Sequence, residues 1–556
     1  MENPSEAILR AELEEAREAL ETVSGSLRFQ IGDAIVSAFS GNRTLGGRVR
    51  ALAAAGSRAR ALLAYSRIRS KVFSGLPRDG LPKFPASLPI QELRALERFV
   101  SVAAKSGSGL AYAGPGPSAP WSTALVALVT EFLEAINKGY DLSSLPNAVA
   151  LSSADKQRIV YVTQHDPEKS FNGYARRTRE IVRGLEARGF CVATTVTAGG
   201  HAESLSAEDI PVQNAGLRAH VDSLASIIGA EALRHRAGLI HCASNYLNGL
   251  AAICAARTLG IPCVYEVRGL WEETRRAIDT DFGDTLGYQL QAAMEVFCAD
   301  NADVTIVGSA GIGDELARRG ASAKRFFLAE SGSPDVPAVS SCEGIAQRKL
   351  FPAGSRVLGF IGSVTSYEGF ETIAKALAIL SARDPRYRML IVGGGPFLSE
   401  AKSIFSRAGV GAKTLFAGKL PFDAALSHYR EIDLALYPRD STRVTEIVES
   451  LKPVEAVAAG VPVIVSNVRP LAAFTENCPA AFEVRASNAN DLASAVESFF
   501  SKTDAQRFEL SQGGREWAAS HRRWAHTVEA IETAYAGLGE LPDKTNKGKA
   551  PRAQLR

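Results

Sequence analysis

Ser450 to Ser466 reads SLKPVEAVAAGVPVIVS, a run of small and apolar residues that holds one carboxylate, Glu455. Pro453 suits a first helical turn, VEAVAA continues the helix, Gly460 ends it and VPVIVS is the next strand. Glu455 then lies near the positive end of a helix. A carboxylate accepts two hydrogen bonds side by side, which matches the vicinal hydroxyls of a ribose. A first-turn glutamate also serves simply to complement a helix dipole at the surface, and the residue alone does not decide between the two. Three strand ends bear glycine: GFIGS at 359–363 (with Gly362), VGGGP at 392–396 and FAG at 416–418. Backbone without side chains approaches a phosphate or a sugar closely. Any one of them is more often an ordinary strand end. Together, each followed by a helix, they favour an anion-binding rim.

The elements that position these residues follow an α/β grammar in which short runs rich in Val, Ile and Leu alternate with helical periods. The first half offers strands at 158–163 (RIVYVT), 190–196 (FCVATTV), 238–243 (GLIHCA), 262–267 (PCVYEV), 303–307 (DVTIV) and 325–329 (RFFLA). A polar stretch rich in Pro, Ser and Gly at about 331–355 marks a boundary. The pattern restarts with 356–362 (RVLGFIG), 387–393 (YRMLIVG), 413–418 (KTLFAG), 432–438 (IDLALYP) and 461–466 (VPVIVS). Continuous apolar runs of this length predict buried parallel strands. The expected architecture is two doubly wound, Rossmann-like domains facing a cleft, at 157–335 and 356–515. A C-terminal helix at 516–536 crosses back, and a disordered tail fills 537–556. Ligands of such sheets sit at the carboxyl ends of the strands.

Residues 1–150 open on a charged helical stretch (AELEEAREALETV) and contain breaker-rich segments at 76–89 and 106–120, which predicts a small helical region with flexible connections. The 556 residues are 46% hydrophobic and 22% charged with a net charge of +3, ordinary for a globular protein of two or three cores and giving no sign of a nucleic-acid partner. Seven scattered cysteines, Cys191, Cys242, Cys254, Cys263, Cys298, Cys342 and Cys478, predict reduced thiols in a cytosol. The longest apolar runs are too short to span a bilayer, so the expected setting is cytoplasmic, either free or peripheral at the inner membrane face.

The ordered segments GFIGSVTSYEGFETIAKAL, MLIVGGGPF, LFAGKLPFDAALSHYREIDLALYPR and LKPVEAVAAGVPVIVS resemble the nucleotide-sugar half of the retaining GT-B glycosyltransferases of family 4. YVTQHDPEKSFNGYARRTREIVRGLEARGF and GLAAICAARTLGIPCVYEVRGLWEET resemble that family's acceptor half, so the likeness covers about 157–536. It implies that Glu455 is the second carboxylate of the family's Glu-x7-Glu pair, the one that holds the donor ribose. Eight residues earlier stands Ile447; Glu446 and Glu449 flank it, and Glu446 is preferred as the carboxylate for the donor-sugar hydroxyls.

Ser363 and Glu368 occupy the slots where the family carries an Arg and a Lys for the donor pyrophosphate. Unpaired charge in a partly dry cleft costs several kcal/mol, as a rough figure. Lys452, just before the helix, and Arg439 and Arg443, after the strand LALYP, are therefore candidate replacements. On the acceptor side Asn172 and Gly173 replace a Gly-Gly pair, Tyr174 and Arg177 follow, and Arg268 would steady the transferred sugar or the phosphate. Glu266 and Glu272 read equally well as structural, and His165 and His241 end strands near the cleft.

The resemblance further implies retention of anomeric configuration through a cation-like sugar, a reaction that depends on leaving-group stabilisation. No Asp-x-Asp motif stands in the expected position, so neither a divalent metal nor another cofactor is expected. The implied partners are a nucleotide diphosphate sugar and a glycan or lipid-linked acceptor. A protein partner would be recruited through residues 1–150. The alternative is a catalytically reduced GT-B protein that only binds nucleotide or recruits partners; a sugar epimerase ranks third.

Overall fold

The alternating runs become two separate sheets, each of six parallel strands. The computed structural model describes residues 131, 134–147, 155–170, 172–197, 217–322, 326–333 and 350–540. Most of the expected amino-terminal helical region, nearly all of the expected tail and Cys342 lie outside these.

The first lobe runs β1 (Asp155–Thr163), α1 (Gly173–Ala187), β2 (Cys191–Val196), α2 (Leu217–His235), β3 (Ala237–Ala243), α3 (Tyr246–Leu259), β4 (Cys263–Val267), α4 (Trp271–Ile278), α5 (Leu286–Asn301), β5 (Val304–Val307), α6 (Ala310–Arg318) and β6 (Phe326–Leu328). Its strand order is β2-β1-β3-β4-β5-β6. The chain therefore leaves β1 in one direction and returns beside it in the other, and the crevice between β1 and β3 is its switch point.

The second lobe runs β7 (Arg356–Ile361), α7 (Phe370–Arg383), β8 (Tyr387–Val392), α8 (Leu398–Arg407), β9 (Thr414–Gly418), α9 (Phe422–Ser427), β10 (Leu434–Tyr437), α10 (Arg443–Ile447), α11 (Leu451–Ala458), β11 (Val463–Ser466), α12 (Arg469–Thr475), β12 (Ala481–Val484), α13 (Ala489–Ser501) and α14 (Asp504–His521). Its order is β12-β11-β10-β7-β8-β9, with the switch point between β7 and β10.

Burial follows from helices covering both faces of each sheet. All seven residues of β3 are buried, as are most positions of α3, which explains why these segments show no clean polar alternation. Two differences from the sequence reading have simple causes. β1 starts at Asp155, ahead of its apolar run, because backbone pairing to Ala237 extends it through exposed residues. β12 reads AFEV, a short edge strand with an exposed acid at Glu483, and carries too weak an apolar signal to be read as a strand.

The last helix, α15 (Trp524–Ala536), leaves the second lobe and buries Val528, Ile531 and Ala534 against Ile159, Tyr161, Ile181 and Leu185 of the first. The chain thus passes between lobes twice, and the passages touch where Ser333 N donates to Arg522 O at 2.5 Å. No described helix is long and apolar enough to cross a membrane. Cys191 is exposed, and the other described cysteines are buried free thiols.

Candidate active site

Where the two lobes meet, charged side chains from the carboxyl ends of both sheets face one another. Glu455 lies on α11 with its side chain 14% exposed, and its partner comes from the opposite lobe: Arg176 on α1 donates to Oε1. The same guanidinium stacks over the ring of Phe422, 3.7 Å from its centre. Burial pushes the Glu455 carboxyl up, against the pull of Arg176 and Lys452. The ion pair and the stacked ring were not anticipated from sequence.

Three residues before Glu455, Lys452 reaches Glu368 with Nζ 2.7 Å from Oε1. Glu368 ends a short 3-10 turn, Ser366–Glu368, after β7, while Arg439 follows β10, so the two stand on either side of the second lobe's switch point. Arg439 Nε lies 3.5 Å from Glu368 Oε1, close enough for charge attraction but not a hydrogen bond. Burial and Arg439 push the Lys452 ammonium down, and Glu368 opposes them. Gly362, at φ +148°, is where the lysine stem crosses the backbone; a Cβ there would meet Lys452 Cδ at 2.7 Å. Ser363 is exposed.

Gly369, at φ +80°, closes the turn, and an added Cβ would collide with the carbonyl of Pro438. Gly369→Ala therefore combines a strained backbone with a clash, and a loss of about 1–3 kcal/mol is expected, several degrees in melting temperature. An unchanged unfolding curve would show that the turn is not held as described.

Across the seam, Glu266 on β4 is wholly buried and gathers Arg177 Nε at 2.7 Å, Arg268 Nη2 at 2.8 Å and Tyr161 Oη at 2.6 Å. His241 Nε2 stands 3.3 Å away, and its Nδ1 is 2.6 Å from Tyr535 Oη on α15. Burial alone would raise the Glu266 carboxyl, but Arg268 and Arg177 hold it well below the usual range. Arg268 also donates to Tyr174 O at 2.9 Å and Thr178 Oγ1 at 2.7 Å. Arg177, Arg268, Ser309, Ser331 and Glu449 line a cavity of about 30 Å³ between the lobes. That is space on the scale of one or two water molecules.

The remaining candidates have other partners. Glu446, preferred over Glu449 in the sequence, instead accepts from Arg469 N at 2.9 Å and Ser441 Oγ at 2.6 Å, capping α12. Glu449 faces the cavity and binds Arg522 through both oxygens at 2.8 Å. Arg443 pairs with Glu315 and approaches Glu273, both in the first lobe. Glu272 pairs with Arg319 at 2.5 Å. Asn172 caps α1 by accepting from Ala175 N at 2.9 Å, and Gly173 is exposed beside Leu451. His165, Tyr174 and Trp271 form an aromatic cluster with centroids 5.9–6.3 Å apart. No described group of His, Cys, Asp or Glu is arranged to hold a metal ion.

Two parallel six-stranded lobes with their strand ends turned toward a shared charged seam define a protein of the GT-B architecture. Residues 343–517 match the family of glycosyl transferases group 1, and residues 172–329 match the glycosyl transferase 4-like domain, together more than half of the chain. The chain belongs to the group 1 glycosyltransferases.

A D-inositol 3-phosphate glycosyltransferase of Rhodococcus jostii (strain RHA1) is 26% identical over 349 residues, covering 60% of this chain and 73% of the relative. A GDP-mannose-dependent alpha-(1-6)-phosphatidylinositol monomannoside mannosyltransferase of Mycobacterium tuberculosis is 27% identical over 180 residues, 32% of this chain and 46% of that one. Among solved structures, sucrose-phosphate synthase from Thermosynechococcus elongatus shares the fold with a TM-score of 0.57 at 19% identity, over 69% of this chain and 99% of that one. Anabaena HepE in complex with UDP and glucose gives 0.51 at 14% identity, over 68% and 99%.

Proposed function

We propose that this glycosyltransferase takes its sugar from a nucleotide diphosphate sugar and passes it, with retention, to a glycan or lipid-linked acceptor. One observation carries the reading. Glu455 and Lys452, on one short helix at the seam, place a ribose-type carboxylate and an ammonium side by side next to the Gly362 turn. In this reading Glu455 holds the ribose, and Lys452 meets the charge of the departing diphosphate. Arg268 and Arg177, fixed by Glu266, face the transferred group from the acceptor lobe. No step is assigned to a metal or other cofactor. The Anabaena neighbour was solved with UDP and the mycobacterial relative is named for GDP-mannose, which supports a nucleotide sugar and leaves the base open.

Arg176 bonds to Oε1 of Glu455, and the second oxygen of that carboxylate, Oε2, can accept from the ribose beside it.

Melting curves with a panel of nucleoside diphosphates test the reading, since ligand at about 100 times its Kd adds about 2.7 kcal/mol to the folded state. One diphosphate is expected to raise the melting temperature, and Glu455→Ala to weaken it at least about tenfold, or roughly 1.4 kcal/mol. No response to any nucleotide would overturn the proposal. A second reading, a nucleotide-binding member with little turnover, is favoured by the neutralisation of Lys452 by Glu368. Binding with no sugar release to water or to any acceptor would select it.

A further inference from the structure

Buried polar atoms without a hydrogen-bond partner recur on the loop after β7 and on what faces it: Ser366 Oγ, Glu368 Oε2 and Arg439 Nε. The last two belong together. Arg439 Nε lies 3.5 Å from the other oxygen of the same carboxylate, Glu368 Oε1, which Lys452 already takes at 2.7 Å. Arg439 uses Nη1 on Val448 O at 3.2 Å. This leaves a carboxylate oxygen that accepts nothing beside a guanidinium N–H that donates to nothing, both shielded from solvent, an arrangement that native structures rarely leave unfilled.

The chemistry of the missing group follows from the two that wait for it. It must donate to Oε2 and accept from Nε within one small atom, which a hydroxyl does. A phosphate oxygen has no proton to give and would be repelled by the carboxylate, so this corner suits sugar rather than pyrophosphate. Its place agrees: Glu368 and Arg439 flank the switch point, α4 of the acceptor lobe packs on Ser366–Glu368, and Lys452 lies one helical turn from Glu455. Glu446 and Glu449, the other acids near the expected sugar carboxylate, are committed to α12 and Arg522.

We propose that Glu368 and Arg439 form the site that reads a hydroxyl of the transferred sugar, making Glu368 a specificity-determining residue where the resemblance places a phosphate-binding lysine. This rests on the nucleotide-sugar reading above.

The test titrates the full-length protein calorimetrically with the nucleoside diphosphate that stabilises it, with its sugar conjugates, and with conjugates lacking one sugar hydroxyl at a time. The wild type is expected to prefer the sugar conjugate over the bare nucleotide at least about tenfold, and to lose that preference when one particular hydroxyl is removed. Glu368→Gln, whose carbonyl still accepts from Lys452, is expected to bring the preference close to one. It should become indifferent to that hydroxyl without losing bare-nucleotide affinity, because Lys452 stays in place and is relieved of a competing negative charge.

Equal weakening of nucleotide and conjugate by Glu368→Gln would overturn the assignment, because the acid would then serve only to hold Lys452. A wild type indifferent to every single deoxygenation would overturn it too, and that series decides the matter if the variant does not fold. Nucleotide binding with either of these outcomes removes the hydroxyl site and leaves the donor reading standing. Absence of all nucleotide binding removes both.

Discussion

Glu266→Ala is expected to lower the stability of the first lobe by about 3–5 kcal/mol, the range for breaking a buried ion network by removing one partner. The reason is the company Glu266 keeps. Arg177 is 3% exposed and Arg268 8%, and both lean on the one carboxylate, as does the Tyr161 hydroxyl. Truncation leaves two guanidinium groups facing each other in low dielectric with nothing between them. Their remaining side-chain bonds, to Ala329 O, Ser331 Oγ, Thr178 Oγ1, Tyr174 O and Tyr161 Oη, supply acceptors but no charge.

The pH dependence has a definite sign. A carboxyl held below its unfolded value contributes stability above the unfolded pKa and loses it as pH falls toward the folded one. A chain with two lobes does not unfold in one step, so the readout is hydrogen exchange in β1, β3 and β4 across a denaturant series. Arg443→Ala is the control: its side chain is 41% exposed although it pairs with Glu315, so less than about 1 kcal/mol is expected. A Glu266 effect no larger than the Arg443 effect would show that the network is not what holds this lobe together.

Much of the fold was legible because doubly wound sheets bury whole strands, and runs such as GLIHCA and YRMLIV announce themselves without tertiary context. AFEV was not legible, since an edge strand needs less apolar surface than a central one. The site was legible only in part. Glu455, Lys452 and Arg439 stand together at one seam because the helix and the strand end that carry them converge at a switch point.

What the sequence could not give was pairing. Arg176 and Arg177 are adjacent in YARRTRE and a helix turns them about 100° apart. One crosses to Glu455 in the other lobe and the other stays with Glu266, and nothing in the string distinguishes them. Glu368 read as a cation lost from the phosphate site. In space it is the partner of a cation supplied from α11. Glu446 and Glu449 both flank the slot at Ile447, Glu446 being preferred, and their distant partners are what sequence does not show: Arg469 N takes the first and Arg522, at the second passage between lobes, takes the other.

Glu295 gives the second large expected effect, and here the sign reverses. It lies on α5, 1% exposed, where it accepts from Tyr265 Oη at 2.6 Å and Tyr246 N at 2.9 Å. Burial and the nearby charge of Glu272 on α4 push its carboxyl up to about 8, while the two donors and the Arg319 guanidinium pull the other way. The thiols of Cys242 on β3 and Cys298 on α5 also face this region, and both are held neutral by burial. Glu295 is thus an acid that folding prefers protonated. Its contribution is complete below the unfolded carboxyl pKa and is lost as pH rises to about 8, at roughly 1.4 kcal/mol per pH unit within that window. Glu295→Gln keeps the shape and the acceptor for Tyr246 N, and its amide donates to the Tyr265 oxygen, so the variant carries no such loss. Wild type and variant should match near pH 5 and diverge by a few kcal/mol, as an order of magnitude, at pH 8 and above, with the variant the more stable. Hydrogen exchange in β3, β4 and α5 across a denaturant series at pH 5, 6.5 and 8.5 checks this. A difference that stays constant with pH would mean that Glu295 does not titrate between those values.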